Sequence, residues 1–351
     1  MAKVFIDRTI LRVWLIPIAL FFMVAIGSWQ FGRVETPPVM SELPSVGTQA
    51  LADEPIRPIP LRVELNPRKV TLGEKLFHDR QLSGDNTKSC ASCHNLALGG
   101  TDGLTVSIGI DGNVGEINSP TIFNSSLNFK QFWDGRAETL EEQIEGPTNS
   151  LRELGSTWPD IIEKLKQSEE YQMLFATIYD DGITRENIKN AIATFERSLI
   201  TPNSRFDRFL RGDRYAITTE EKRGYALFKS YGCASCHQGV NVGGNMFQKL
   251  GIFEDYFEKK ENLSPVDLGR YNVTQDPRDR YTFKVPTLRN IAETAPYLHD
   301  GSAKTLEGAI QVMAKYQLGR QLSPDDTEAI VRFLHTLTGE YKGKLVSSEG
   351  E

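Results

Sequence analysis

A five-residue stretch that occurs twice constrains this chain more than any other feature. Residues 90–94 read Cys90-Ala91-Ser92-Cys93-His94, and residues 233–237 read Cys233-Ala234-Ser235-Cys236-His237. Two cysteines separated by two residues can each form a thioether to a vinyl group of one haem. The histidine that follows then sits under the iron as its proximal ligand. The chain has four cysteines, and the two motifs use them all. A zinc knuckle would need four ligands closing on one ion, and a redox CxxC pair has no need of a histidine at the fifth position in both copies. The expected cofactors are therefore two covalently bound haem c groups, with His94 and His237 as iron ligands.

The length of 351 residues suggests two domains. A net charge of −6 gives no support to nucleic-acid binding. Haem is attached to CxxCH outside the bacterial cytoplasm, so the chain is expected in the periplasm. Lys3, Arg8 and Arg12 precede an uncharged run over 13–29. That run, roughly 17 residues, is at the short end of a bilayer span. With its basic flank inside, it reads as an uncleaved inner-membrane anchor. A signal peptide cleaved near Ala25-Ile26-Gly27 is the alternative. The expected layout is an anchor or signal segment (1–33), a Pro-rich tether (34–67), two haem domains (68–212 and 213–340) and a tail (341–351).

The globular part is an internal repeat. Leu72-Gly73-Glu74-Lys75-Leu76-Phe77 precedes the first motif, and Arg223-Gly224-Tyr225-Ala226-Leu227-Phe228 precedes the second. After the first motif come Pro120-Thr121, Asn124, Trp133-Asp134-Gly135 and Thr139-Leu140-Glu141. After the second, at matching spacing, come Pro286-Thr287, Asn290, His299-Asp300-Gly301 and Thr305-Leu306-Glu307. Apolar residues recur at helical spacing over 160–166, 169–179, 186–199 and 325–337. The expected fold is mainly α, with two cytochrome c-type domains in tandem.

The copies differ at one position that matters. In the second half Met313 is the candidate sixth ligand, and a His/Met pair raises the potential of a haem. A methionine at helical spacing also reads as plain core. The aligned residue in the first half is Pro147, which has no donor atom for iron. An open iron beside a closed one is the layout of an enzyme fed by an electron-transfer centre. Trp133, aligned with His299, is a candidate aromatic between the haems, or a core tryptophan. An open iron can bind a small oxidant such as peroxide, and peroxide cleavage needs a distal proton carrier. Gln143 and Glu153 bracket Pro147, with Glu141, Glu142 and Glu145 as competitors. His78 and His335 read as ordinary surface or helix residues, and His299 as support for the haem environment.

From about 69 to 339 the chain resembles the bacterial di-haem cytochrome c peroxidases, a superfamily that includes MauG. The motifs that carry the resemblance are 72–77, both CxxCH sequences, 99–103, 131–136, 283–290 and 296–301. The resemblance implies a low-potential peroxidatic haem on His94 and a high-potential haem held by His237 and Met313. It implies that Gln143 and Glu153 are the distal pair and that Trp133 lies between the haems. It further implies a Ca²⁺ site made by Asn118 with the carbonyls of Thr294 and Pro296, and oxygen donors of that kind suit Ca²⁺. Many members carry a histidine after Ser-Ile-Gly that caps the peroxidatic iron in the resting enzyme. Here Ser107-Ile108-Gly109 is followed by Ile110, which cannot ligate.

The expected function is reduction of hydrogen peroxide to water. Electrons would come from a small exported donor (a cytochrome c, a copper protein or a quinol-linked carrier), and the peroxidatic haem would be permanently open. The alternative is a MauG-like oxidation of residues on a partner protein, although members of that type replace the ligating methionine by tyrosine. A pure electron carrier is a third reading, but it leaves Pro147 and Ile110 unexplained. A homodimer is a possible assembly.

Overall fold

The computed structural model describes residues 54–347 except Lys259. The anchor over 1–33 and most of the tether lie outside the described residues. Among the described residues no helix is long and apolar enough to cross a membrane. All of them belong to one compact unit.

Each half is built on one pair of packed helices. In the first half Pro67–Phe77 packs on Arg185–Ser198, and in the second Thr219–Ser230 packs on Pro324–His335. Local chemistry sets their starts. Asn66 accepts from the amides of Arg68 and Lys69, and Pro67 opens the helix. Thr218 and Glu221 form a capping box. Both crossings are tight because a glycine lies at each. A Cβ on Gly73 would overlap the carbonyl of Ala191, and one on Gly224 the carbonyl of Ala329. Phe195 and Phe333 close the two crossings from equivalent positions.

The repeat extends to backbone detail. Asn124 and Asn290 are fully buried, adopt φ of +61° and +59°, and both bond Thr201 through their side-chain amides. Phe132 and Leu298 also adopt positive φ, at +66° and +72°. The Asn118 amide donates to the carbonyl of His299 at 2.8 Å, and the Lys284 amide donates to the carbonyl of Trp133 at 2.7 Å. Asn118 aligns with Lys284 and Trp133 with His299, so the halves clasp each other through two symmetry-related bonds.

Two main cores result, one per half, with a smaller cluster around Leu250, Phe257 and Phe283. Among the described residues sheet is confined to two short antiparallel pairs, Phe247–Lys249 with Thr282–Lys284 and Glu340–Tyr341 with Lys344–Leu345. The chain ends depart from expectation. The last part of the tether is docked: Ile56 and Ile59 are buried, Ile56 bridges to Gly239, and Glu54 binds Tyr225 and Lys229 of the second half. The tail is also structured through 347, and it crosses to the first half. There Tyr341 meets Phe123, and Val346 joins the core. Burial of apolar side chains at both ends offsets the ordering entropy that would otherwise leave them loose. The second core already takes in Phe206 and Leu210, ahead of residue 213.

Candidate functional site

One continuous cavity of about 770 Å³ runs through both halves and reaches both CxxCH motifs. Its first lobe is walled by Leu82, Leu140, Ile144, Trp158, Ile188 and Ile192, and its second by Phe228, Leu250, Leu288, Leu306, Ile310 and Leu334. A large apolar chamber with few polar groups suits a flat, mostly apolar cofactor.

The residues fit haem. Cys90 and Cys93 sit at the two ends of one helical turn and Cys233 opens a 3₁₀ turn, so each pair of thiols is presented from a tight turn beside its histidine. All four cysteines are free. Burial pushes the Cys90 thiol up to about 12 and the Cys233 thiol up to about 11, so neither is a thiolate. The four cysteines and their histidines do not converge on a single point among the described residues, which removes the zinc-knuckle reading. Burial lowers the pKa of His94, and it lowers that of His237 to about 4, so both rings are neutral and can donate a lone pair. His94 Nδ1 lies 3.4 Å from the carbonyl of Gly100, which leaves Nε2 for a metal. Buried His237 Nδ1 makes no hydrogen bond of good geometry among the described residues, and the backbone of Val242 and Pro286 lies beside the ring.

The sequence candidates meet in this chamber. Gln143, Pro147 and Glu153 all line it together with His94, and Met313 lines it together with His237. Pro147 stands in the short helix Glu145–Asn149, and its carbonyl accepts from the Leu154 amide. That turn carries Glu153 back to the wall. Burial holds the Glu153 carboxyl above the usual carboxylate range, opposed by the Arg136 charge and a hydrogen bond from Ser150. Arg136 is fixed by Asp134 and lies over the Phe132 ring, 3.4 Å from its centroid. Ile110 is buried against Gly155 and is not part of the cavity wall, although its neighbour Gly109 is.

Met313 opens a π-helical turn, Met313–Gln317, that continues helix Leu306–Val312. Met313 and Trp133 each pack against the cluster of Leu250, Phe257 and Phe283. Trp133 Nε1 donates to the Asn118 carbonyl at 2.9 Å, and its ring meets His299. His299 is stacked on Phe283 and bonds Asp267 through Nε2 at 2.8 Å. Asn118, Thr294 and Pro296 all line the cavity. The Asn118 Nδ2 is spent on the carbonyls of Leu104 and Thr105, so its amide oxygen is the atom left for a cation. His78 and His335 are exposed and lie outside the cavity wall.

Three features escaped the sequence reading. Lys260 bridges Asp267 and Asp300 at 2.7 and 3.0 Å, so an ammonium already satisfies the one acidic cluster with metal-like spacing among the described residues. Glu196 is buried on the cavity wall with one carboxylate oxygen unpartnered, and burial raises its pKa to about 8. Its signal was present, since Ile188, Ile192 and Glu196 recur every fourth residue on one helix face. Lys284 is buried on the same wall.

Comparison with known proteins agrees with this geometry. Residues 67–215 match the di-haem cytochrome c peroxidase family, and residues 221–338 match cytochrome c. The chain is 48% identical over 290 residues to the cytochrome c peroxidase Ccp of Escherichia coli, a match covering 82% of this chain and 62% of that protein, which is under two thirds of its length. It is 47% identical to the cytochrome c551 peroxidase of Nitrosomonas europaea, covering 84% of this chain and 87% of that one. Among solved structures, a MauG-like protein associated with microbial copper homeostasis superposes with a TM-score of 0.71 at 29% identity, covering 82% of this chain and 94% of the other. With two CxxCH motifs opening on one chamber and this degree of likeness over both halves, the chain belongs to the di-haem cytochrome c peroxidases, a family of oxidoreductases acting on peroxide.

Proposed function

We propose that the chain reduces hydrogen peroxide to two waters, taking up two electrons and two protons, in the lobe lined by His94, Gln143 and Glu153. The observation that carries this reading is the pairing of Pro147 with Met313. They are equivalent residues on the walls of the two lobes, and only one offers a donor atom to iron. Haem held at the two motifs by His94 and by His237 with Met313 would supply redox-active iron, to which Pro147 offers no donor atom. Glu153 accepts a proton from the peroxide oxygen nearer His94 and returns it to the departing oxygen. A carboxyl raised by burial is suited to both halves of that transfer. Gln143 holds the distal oxygen by hydrogen bonding. The apolar wall of Leu140, Ile144 and Trp158 excludes bulk water. Trp133 lies on the path by which electrons cross from the Met313 lobe.

In this reading 68–212 is the peroxidatic domain and 213–340 the electron-transfer domain, both in the periplasm. The electron donor is a small exported protein or a quinol-linked carrier, and the N-terminal segment holds the enzyme to the inner membrane. Asn118, Thr294 and Pro296 hold a calcium ion between the halves. Two copies form a homodimer. With isoleucine at 110 and proline at 147, the peroxidatic lobe stays open in the oxidised state. Action on a partner protein is the weaker reading, because Met313 stands where the MauG type has tyrosine.

The test is rapid mixing of the fully oxidised, haem-loaded protein with peroxide. Prompt spectral change of a high-spin centre is expected. A purely low-spin spectrum that reacts only after one-electron reduction would overturn the open site, and absence of peroxide turnover with any reduced donor would overturn the peroxidase reading.

A further inference from the structure

Lys284 occupies the position in the second half that Asn118 occupies in the first, since the two lie in register within the repeat and make symmetry-related amide bonds to His299 and Trp133. The residue is 7% exposed. It lies on strand Thr282–Lys284 opposite Phe247, and cross-strand partners point to one face of the antiparallel pair. Phe247 on that face packs on Phe129 at 5.0 Å, whereas Phe283 on the other face stacks on His299. The lysine therefore points from the second half toward the first, along the wall of the shared cavity.

Among the described residues no carboxylate or other acceptor pairs with the Lys284 ammonium, and the residue lines the cavity. The buried Arg289 shows the contrast, being paired with Asp207 at 2.7 Å. An isolated buried cation is costly, by several kcal/mol even after relaxation, so such groups occur paired or next to a ligand that pairs with them. Burial alone brings the Lys284 pKa down to about 8, with nothing opposing it. A second side chain on the same wall, Ser125, has a buried Oγ with no partner among the described residues. A cation and an unpartnered hydroxyl on residues that line one chamber suit an anionic oxygen ligand.

We propose that Lys284 is the built-in counter-charge for a haem carboxylate at the junction of the halves, with Ser125 as an accessory donor. Each haem brings two propionates, and they are the anions that this cavity has to accommodate. Where the resemblance assigns the Asn118 side to a metal cation, the repeat puts the chain's own ammonium on the other side. The proposal rests on haem occupancy and not on peroxidase activity.

The experiment compares haem-loaded wild type, Lys284→Met and Lys284→Arg by redox titration over pH, with haem content and resonance Raman spectra of the propionate bending region. Loss of the positive charge stabilises ferric iron, so Lys284→Met should lower the midpoint potential of one haem and shift its propionate band. Lys284→Arg should retain the wild-type potential. Unchanged potentials in a fully loaded Lys284→Met protein overturn the assignment. Should that variant fail to load two haems, Lys284→Arg decides: a propionate band identical to wild type overturns the pairing, and a shifted band supports it.

Discussion

Trp133 and His299 hold the same place in the two halves of the repeat, and in the folded chain they meet edge to face with ring centroids 6.5 Å apart. Each contributes its backbone carbonyl to the clasp between the halves. One pair of equivalent positions that differ in side chain thus meets where the halves touch. Trp133→Phe keeps an aromatic ring but loses the Nε1 bond to the Asn118 carbonyl, worth about 1 kcal/mol. Electron passage to the peroxidatic side should slow, with haem content and potentials unchanged. Single-turnover kinetics with a pre-reduced second haem measure this.

Glu153→Gln should reduce peroxide cleavage by about 10²-fold or more, the usual worth of general acid–base catalysis. Burial raises the Glu153 pKa, and the deprotonated form is the one that accepts the proton. The wild-type rate should therefore fall as pH drops through a value above the ordinary carboxylate range. The variant should show no such fall. Stopped-flow rates across pH check both points.

Met313→His should lower the potential of the second haem, because imidazole favours ferric iron more than thioether does. Redox titration gives the answer, and an unchanged potential would move the ligand elsewhere.

The glycines at the helix crossings should not tolerate a methyl group. Gly73→Ala and Gly224→Ala each place a Cβ onto a carbonyl of the facing helix, at Ala191 and Ala329. Overpacking of this kind costs roughly 1–3 kcal/mol, or more where backbone must move. Denaturant unfolding of each variant should show comparable losses, since the crossings are equivalent.

Glu196 should make stability depend on pH. Its folded pKa of about 8 is above the ordinary glutamate value, so the folded chain holds the proton more tightly. The stabilising effect is complete below the unfolded pKa, about 4.3, and is lost as pH rises through the folded value. Glu196→Gln removes that loss. The unfolding temperature of wild type relative to the variant should fall between about pH 4.5 and pH 8.5, measured on haem-loaded protein.

The sequence by itself determined the haem attachment and the halves. CxxCH encodes its chemistry within five residues, and the repeat was legible because equivalent glycines, asparagines and prolines recur at matching spacing. It also set Pro147 against Met313, a difference of donor atoms that requires no coordinates. Tertiary structure alone decided which polar residues face the chamber. Glu153, Gln143 and Lys284 have ordinary neighbours in the chain, and packing between segments far apart in sequence brings them to one wall. It also decided the exchange of ends, in which Ile56 docks on the second half and Val346 on the first, since a short apolar segment carries no mark of the core that will bury it. Local patterns specify turns, caps and covalent chemistry because these act over a few residues. Burial, and the charge states that follow from it, depend on what the rest of the chain brings alongside.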